Sequence, residues 1–394
     1  MQRWKTWMLL VVPVVVAFLL STVSAGTASA WFEGAWYIVP SPNVSGSTNV
    51  LNGVSAISKH DAWAVGQTLS LSAGSNGTLT EHWNGTSWRI VTSLGPGSRV
   101  NVLSGVTALA ANDVWAVGHF TNTGGSAQTL ILHWNGKAWK VVSSPNVLSS
   151  DNFLTGVAAV SNEDIWAVGS YFNANSGTLQ TLLEHWNGHH WSLFFTMNPP
   201  AGNNALQSVT AITEDNVWAV GTTTDPITNN SRTLIEHWNG RSWRAVTSPN
   251  PGSRLNVLNG VAADAARDIW AVGSYSNSIG GPAPTLTLHW NGSTWKIVSS
   301  PNANTPGNQL VAVAVVSPSD VWAVGNSTNS SGINRTLTLH WNGAKWSVIF
   351  SPNRGTDNNF LRGVARIPRT ENAWAVGYFG SSTGDKTLVE SFSE

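Results

Sequence analysis

Six histidines recur at near-constant spacing, His82, His133, His185, His237, His289 and His340, and each opens the tetrapeptide HWNG. Imidazole is both a metal ligand and an acid–base group near neutral pH. About twenty positions before a histidine stands Asp61, Asp113, Asp164, Asp268 or Asp320, with Asn216 before His237; Asn372 precedes Ser391, which takes the place of a seventh histidine. A His–Asp couple is a minimal unit for proton transfer, and several histidines together would hold a metal if their nitrogens met about 2 Å from one ion. Which chemistry is open to them depends on the elements that carry them.

Those elements repeat. The string WAVG begins at Trp63, Trp115, Trp166, Trp218, Trp270, Trp322 and Trp374, at spacings of 52, 51, 52, 52, 52 and 52 residues. Seven such units account for residues 31–394 and leave no space there for a separate catalytic or anchoring domain. Each unit reads as four short strands. In the second, NVLSGVTALA is small, β-branched and nearly uncharged, as expected of a strand buried on both faces. DVWAVGHF, QTLILHW and AWKVVSSPN follow it. The Asn-Gly pair between the last two predicts a tight type I′ hairpin with φ > 0 at both central residues.

The seventh unit ends at TLVESFSE and lacks a fourth strand, while WFEGAWYIVPSPN, residues 31–43, aligns with the fourth strand and places Trp31 and Trp36 on Trp83 and Trp88. N-terminal and C-terminal strands therefore complete one blade. The reading is an all-β chain, a seven-bladed β-propeller of four-stranded antiparallel blades with its ring closed by the two ends.

The WAVG strand and the aromatic hairpin, with a tryptophan six residues after the histidine, resemble the blades of kelch and galactose-oxidase-like propellers of exported bacterial proteins. The Asn-Gly-x-x-Trp turn is similar to the Asp-box hairpin of sialidase-like propellers. Here Val-Gly replaces the kelch Gly-Gly doublet, and the Asp-box aspartate with its preceding Ser/Thr is absent. The resemblance implies fold and does not bring either family's chemistry with it.

A propeller holds one histidine per blade, spread around a ring, so the expectation is a structural hydrogen bond rather than a metal site. The acidic residue before each WAVG suits turn capping, with the histidine of the same blade as a possible partner. The recurring tryptophans, such as Trp115, Trp134 and Trp139, are expected in the packing between blades, where each buries a few kcal/mol of apolar surface.

In an up-and-down blade the second-to-third and blade-to-blade connections share one end. The variable loops TNTGGSA, NANSGTLQ, TDPITNN and SPNVLSSDN therefore gather on one face, where function is expected. Two recurrences sit there. Asn49, Asn101, Asn152, Asn204, Asn256, Asn308 and Asn359 stand at the entrance of the innermost strands and predict seven carboxamides around a channel mouth. Such a ring suits water, a sugar or a weakly held cation; bonding of each Asn to its own loop is the competing use. Phe120, Tyr171, Tyr275 and Phe379 lie two residues after the WAVG glycine, with Thr68, Thr223 and Ser327 in the other blades, and suit stacking on sugar rings or packing against the adjacent blade.

For catalysis the chain has no nucleophile elbow, P-loop, HExxH or EF-hand pattern. Asp151, Asp225, Asp357 and Asp385 belong to different blades, and Arg99, Arg254 and Arg354 stand on blade-to-blade loops. No catalytic residue, metal or cofactor is assigned. The expectation is a non-catalytic binding or scaffold module that takes a glycan or other cell-surface ligand on the long-loop face. A polysaccharide hydrolase or lyase using that face, or a purely structural surface protein, is the alternative.

Residues 1–30, with Arg3 and Lys5 before an apolar run from Trp7 to Leu20 and then Ala28-Ser29-Ala30, read as a signal peptide, cleaved or kept as an anchor. They imply a secreted or extracytoplasmic protein with no membrane span once removed. With no cysteine, stability rests on burial. Charged residues are only 10% of the chain, and without the leader 18 basic face 20 acidic side chains, with no basic cluster, which argues against nucleic acid.

Overall fold

The computed structural model describes residues 34–393, apart from 73, 98, 148–150, 197–201, 279 and 304. The expected signal peptide and Trp31 lie outside the described residues. Among the described residues, 28 strands form seven four-stranded antiparallel sheets, and no helix is long and apolar enough to cross a membrane. The second blade shows the pattern: Asn101–Ala110 innermost, then Asp113–Thr121, Ala127–Trp134 and the short outermost Trp139–Val142. The protein is a seven-bladed propeller.

Ring closure runs through the last sheet, where Ala35–Ile38 pairs with Lys386–Ser393 and sets Trp36 opposite Phe392. In the first blade the same position pairs Trp88 with Trp83. Phe392 of the C-terminal strand thus stands where the linear alignment places Trp31. The closure extends to the channel, where a Cβ on Gly363 of the seventh blade would lie 3.1 Å from the Gly53 Cα of the first.

The WAVG tryptophan joins each blade to the next. Trp115 lies on the imidazole of its own-blade His133, with ring centroids 4.2 Å apart, and meets Trp186 and Trp191 of the third blade at 5.0 and 5.8 Å. Trp374 of the last blade meets Trp83 and Trp88 of the first in the same way. Seven apolar clusters, each shared by two blades, form the core.

The strand buried on both faces is the second, not the first. Ala62–Gly66 and its counterparts are buried throughout, whereas the innermost strands alternate between buried and half-buried because one side of each faces the channel. Small residues in the innermost strand answer a different need. At each Leu-x-Gly step, for example Leu51-Asn52-Gly53, the register slips and the middle residue is left without a ladder partner, as in a β-bulge. The bulge brings the carbonyl before it against the second strand, so a Cβ on Gly66 would collide with the Val50 oxygen. All seven WAVG glycines face such a carbonyl, which explains why that letter never varies.

The hairpin also differs from expectation. Trp83 pairs with Trp88, which leaves a four-residue loop, Asn84 to Ser87. Of the two central residues only Gly85 has positive φ, at 93°. Asn84 acts through its side chain, its Oδ1 accepting the Thr86 and Ser87 N–H groups at 3.0 Å each. The aromatic pair sets the register, and the asparagine closes an Asx turn inside it.

Candidate ligand face

The histidines and their partners lie at the short-turn end. His82 Nε2 is 2.8 Å from Asp61 Oδ1, and the same pair forms at His133–Asp113, His185–Asp164, His289–Asp268 and His340–Asp320. In the fourth blade Asn216 serves, 2.9 Å from His237, and burial lowers the pKa of that imidazole. The hairpin tryptophan ties the same end together, Trp83 Nε1 donating to the Lys59 carbonyl at 3.0 Å. Each histidine is committed within its own blade, and the couple braces the WAVG tryptophan stacked on it.

At the opposite end the long loops are knitted between blades. Asn76 N–H donates to the Arg99 carbonyl at 2.7 Å, Ala127 N–H to Asp151 Oδ1 at 2.8 Å and Ser231 N–H to the Arg254 carbonyl at 2.8 Å. Asp225 accepts the Ile227 and Thr228 N–H groups of its own loop, which lower its pKa, and burial raises that of Asp385.

The seven asparagines stand at the loop end of the innermost strands, opposite the position of the uneven aromatics: Asn101 pairs with Phe120, Asn152 with Tyr171, Asn256 with Tyr275 and Asn359 with Phe379. They do not form an open ring of carboxamides. Asn49, Asn152, Asn204 and Asn359 are 0% exposed and the others at most 5%. Asn49 accepts from Val44 N–H at 2.8 Å and donates to the Val44 and Ser47 carbonyls; Asn101, Asn256, Asn308 and Asn359 hold their loops likewise, and Asn204 donates to the Gly202 carbonyl. A carboxamide placed just inside the chain's turn satisfies donors and acceptors that burial would otherwise strand. The aromatics are half-buried. Phe120, Tyr171, Tyr275 and Phe379 each rest on the cluster shared with the preceding blade and show an edge at the loop end.

The central channel encloses a cavity of about 860 Å³, within the range of ligand-binding cavities. It reaches the loop end through Asn326, Thr328 and Asn334. Farther in come the bulge residues Asn52, Ser104, Thr155, Gln207, Asn259, Val311 and Arg362, one per blade, and two positions beyond them the valines Val54, Val106, Val157, Val209, Val261, Val313 and Val364. The lining is thus a polar, hydrogen-bonding tier above an apolar collar, and it contains no carboxylate.

The bulge column escaped the sequence reading, although a signal was present. It is the variable letter in LNG, LSG, LTG, LQS, LNG, LVA and LRG, three after each loop asparagine. Also missed were Glu81, Glu184, Glu236 and Glu390, each 0% exposed on a third strand where the other blades carry Leu132, Leu288 and Leu339. Burial raises their pKa to about 8, 8, 7 and 8 respectively. Glu390 meets Ser351 of the preceding blade at 2.8 Å.

No family model matches the chain, and no curated protein sequence matches it. Solved structures do. A GH74 xyloglucanase from Xanthomonas campestris aligns at TM-score 0.54 and 14% identity over 90% of this chain. The extracellular domain of a putative one-component system from B. thetaiotaomicron aligns at 0.53 and 13% over 91%, and YCF48 bound to D1 peptide at 0.51 and 13% over 91%. What they share with this chain is the fold. The alignment spans 97% of the YCF48 chain but 53% of the xyloglucanase and 40% of the sensor chain.

Proposed function

We propose that the protein is an exported, non-catalytic module that recognises carbohydrate at the long-loop end of its central channel. The observation that carries this reading is the channel itself: a cavity of about 860 Å³ whose bulge tier is Asn, Ser, Thr or Gln in five blades, with Val311 and Arg362 in the other two. Neutral amides and hydroxyls donate and accept in equal measure, as the hydroxyls of a sugar require. The edges of Tyr171 and Tyr275 at the same end add apolar surface for sugar rings. Turnover has less support. Glycoside hydrolysis uses two carboxyl groups about 5 to 9.5 Å apart, and the lining holds none. The leader-like residues 1–30 support export, and the xyloglucanase and extracellular sensor domain share the architecture.

A glycan array read together with release of reducing ends from the bound polysaccharides tests the reading. Binding without turnover is the expected result. Binding of a neutral glycan should weaken when Tyr171 and Tyr275 are replaced by alanine, measured per folded molecule because both side chains also pack between blades. A folded protein that retains no glycan at any concentration used would overturn the proposal, and product release would replace it with the hydrolase reading.

A further inference from the structure

Six blades place a neutral residue at the channel bulge, and the seventh places Arg362. Among the described residues it is the one charged side chain in the lining. The guanidinium carbon lies 5.2 Å from the centre of the Tyr378 ring, and Nη2 donates to the Tyr378 hydroxyl at 3.3 Å. Tyr378 in turn stacks on Phe360, with centroids 4.8 Å apart and planes at 25°, so the arginine rests on a two-ring aromatic wall. Phe360 itself lines the channel.

Arg362 is exposed, and among the described residues no carboxylate lies within ion-pair distance of it. A guanidinium carries five N–H donors, of which one hydrogen bond to Tyr378 is recorded. Asp385 feels the arginine at longer range: burial raises the pKa of its carboxyl, and the Arg362 charge lowers it. A guanidinium with unspent donors, set over an aromatic ring in a lining whose other described residues are uncharged, suits bidentate recognition of a carboxylate.

We infer that the channel binds an acidic glycan, with the carboxylate of a uronic-acid unit on Arg362 and the sugar hydroxyls on amides of the lining, Gln309 of the adjacent sixth blade and Gln207 across the channel. This rests on the carbohydrate reading above and narrows its ligand class. The aromatic wall offers the ring of the same sugar unit a stacking surface next to the charge. A carboxylate-bearing peptide would also satisfy the arginine, but a peptide brings apolar side chains and backbone amides. The exposed amides of the lining, Gln207 and Gln309, match a polyol better.

Calorimetric titration of the mature protein with an oligogalacturonide and with a neutral galacto-oligosaccharide of equal length tests the inference. The acidic oligomer should bind more tightly than the neutral one, and the preference should shrink as salt is raised. Arg362→Gln should weaken the acidic oligomer by about tenfold or more and affect the neutral one less, so that the preference between the two is lost. Arg362→Lys should recover part of the loss, because it restores charge without the planar fork. Arg362 is exposed and its contact with Tyr378 lies outside the apolar clusters, so thermal unfolding of both variants should stay close to that of the parent. Equal binding of the acidic oligomer by parent and Arg362→Gln overturns the inference, as does an absence of preference between the two sugars. If neutral glycan binding persists and depends on Tyr171 and Tyr275, the broader reading survives that failure. If neither sugar binds but a peptide with a free C-terminal carboxylate does so through Arg362, the glycan assignment fails altogether.

Discussion

Replacement of Glu81 by leucine should stabilise the protein above neutral pH and remove one contribution to the pH dependence of its stability. Glu81 is 0% exposed, neither carboxyl oxygen has a hydrogen-bond partner, and burial raises its pKa from 4.5 to about 8. In the unfolded chain the carboxyl ionises near its ordinary value, whereas the folded chain holds the proton until about pH 8. Between those limits the folded state binds one proton more than the unfolded state, so stability falls as pH rises, by about 1.4 kcal/mol per pH unit for one group. Above the folded pKa both states are ionised and the dependence ends. Across the whole interval the cost reaches about 5 kcal/mol. Below the unfolded pKa the contribution is absent.

Leucine is the natural substitute, since Leu132 occupies the same strand position in the second blade and is 0% exposed in the cluster shared with the first. Urea unfolding followed by tryptophan fluorescence, at steps from about pH 5 to about pH 9, reads the effect. The slope of stability against pH in Glu81→Leu should be shallower than in the parent by about 1.4 kcal/mol per unit through this range. The two proteins should be closest at the acid end. Glu81→Gln separates charge from packing, because it removes the titration while keeping shape and polarity. Identical pH slopes in the parent and both variants would refute the burial argument, and so would a parent whose stability rises toward pH 8.

The closing blade depends on Trp36, 3% exposed and 5.1 Å from Trp322, so Trp36→Ala should cost about 3–5 kcal/mol in urea unfolding; a loss below that of an exposed-site control would refute closure through this strand. Gly169→Ala should prevent native folding of the third blade, because its Cβ meets the Phe153 carbonyl oxygen, and a soluble variant with the parent's near-ultraviolet circular dichroism would contradict the bulge argument. Asn152→Ala removes bonds to the Val147 N–H and carbonyl and should cost about 1–3 kcal/mol while leaving glycan affinity per folded molecule intact. Joint replacement of the exposed outer-edge residues Arg89, Lys140, Arg244 and Lys296 by valine should leave blade structure unchanged but promote aggregation, measured by light scattering; unchanged solubility at high concentration would remove that role for the charges.

Blade number and ring closure were legible because they rest on features that recur in every unit. The phase of WAVG, the missing fourth strand after TLVESFSE and the orphan strand at Trp36 are each readable without coordinates. The turn type was not legible from Asn-Gly alone, because the Trp83–Trp88 pair decides which residues are loop. Strand burial was assigned from composition, which does not separate a strand pressed between two sheets from one whose small residues are demanded by crowding at an axis. The buried glutamates were invisible for a related reason: Glu81 follows Thr80 in a sequence that reads as an ordinary alternating strand, and only the neighbouring blade makes the position interior.

The site was less legible than the scaffold, and the bulge accounts for the difference. On either side of each bulge the residue is fixed by what it meets: Leu51 pairs with Gly66 and Gly53 with Val65, and the glycine lies 3.3 Å, measured from an added Cβ, from the Ser104 carbonyl of the next blade. The residue between them has no ladder partner. In alternate blades it is spent on the ring, Asn52 donating to the Leu103 carbonyl, Thr155 to that of Leu206 and Asn259 to that of Leu310, each at 2.8 Å. Gln207 and Arg362, in the fourth and seventh blades, make no such bond to the next blade and stand exposed in the channel. One column of the repeat therefore divides between holding the blades together and facing a ligand. The letters that vary most within it are the ones released from the first task, and this is why a search for recurring residues found the brace and passed over the position best placed to choose a ligand.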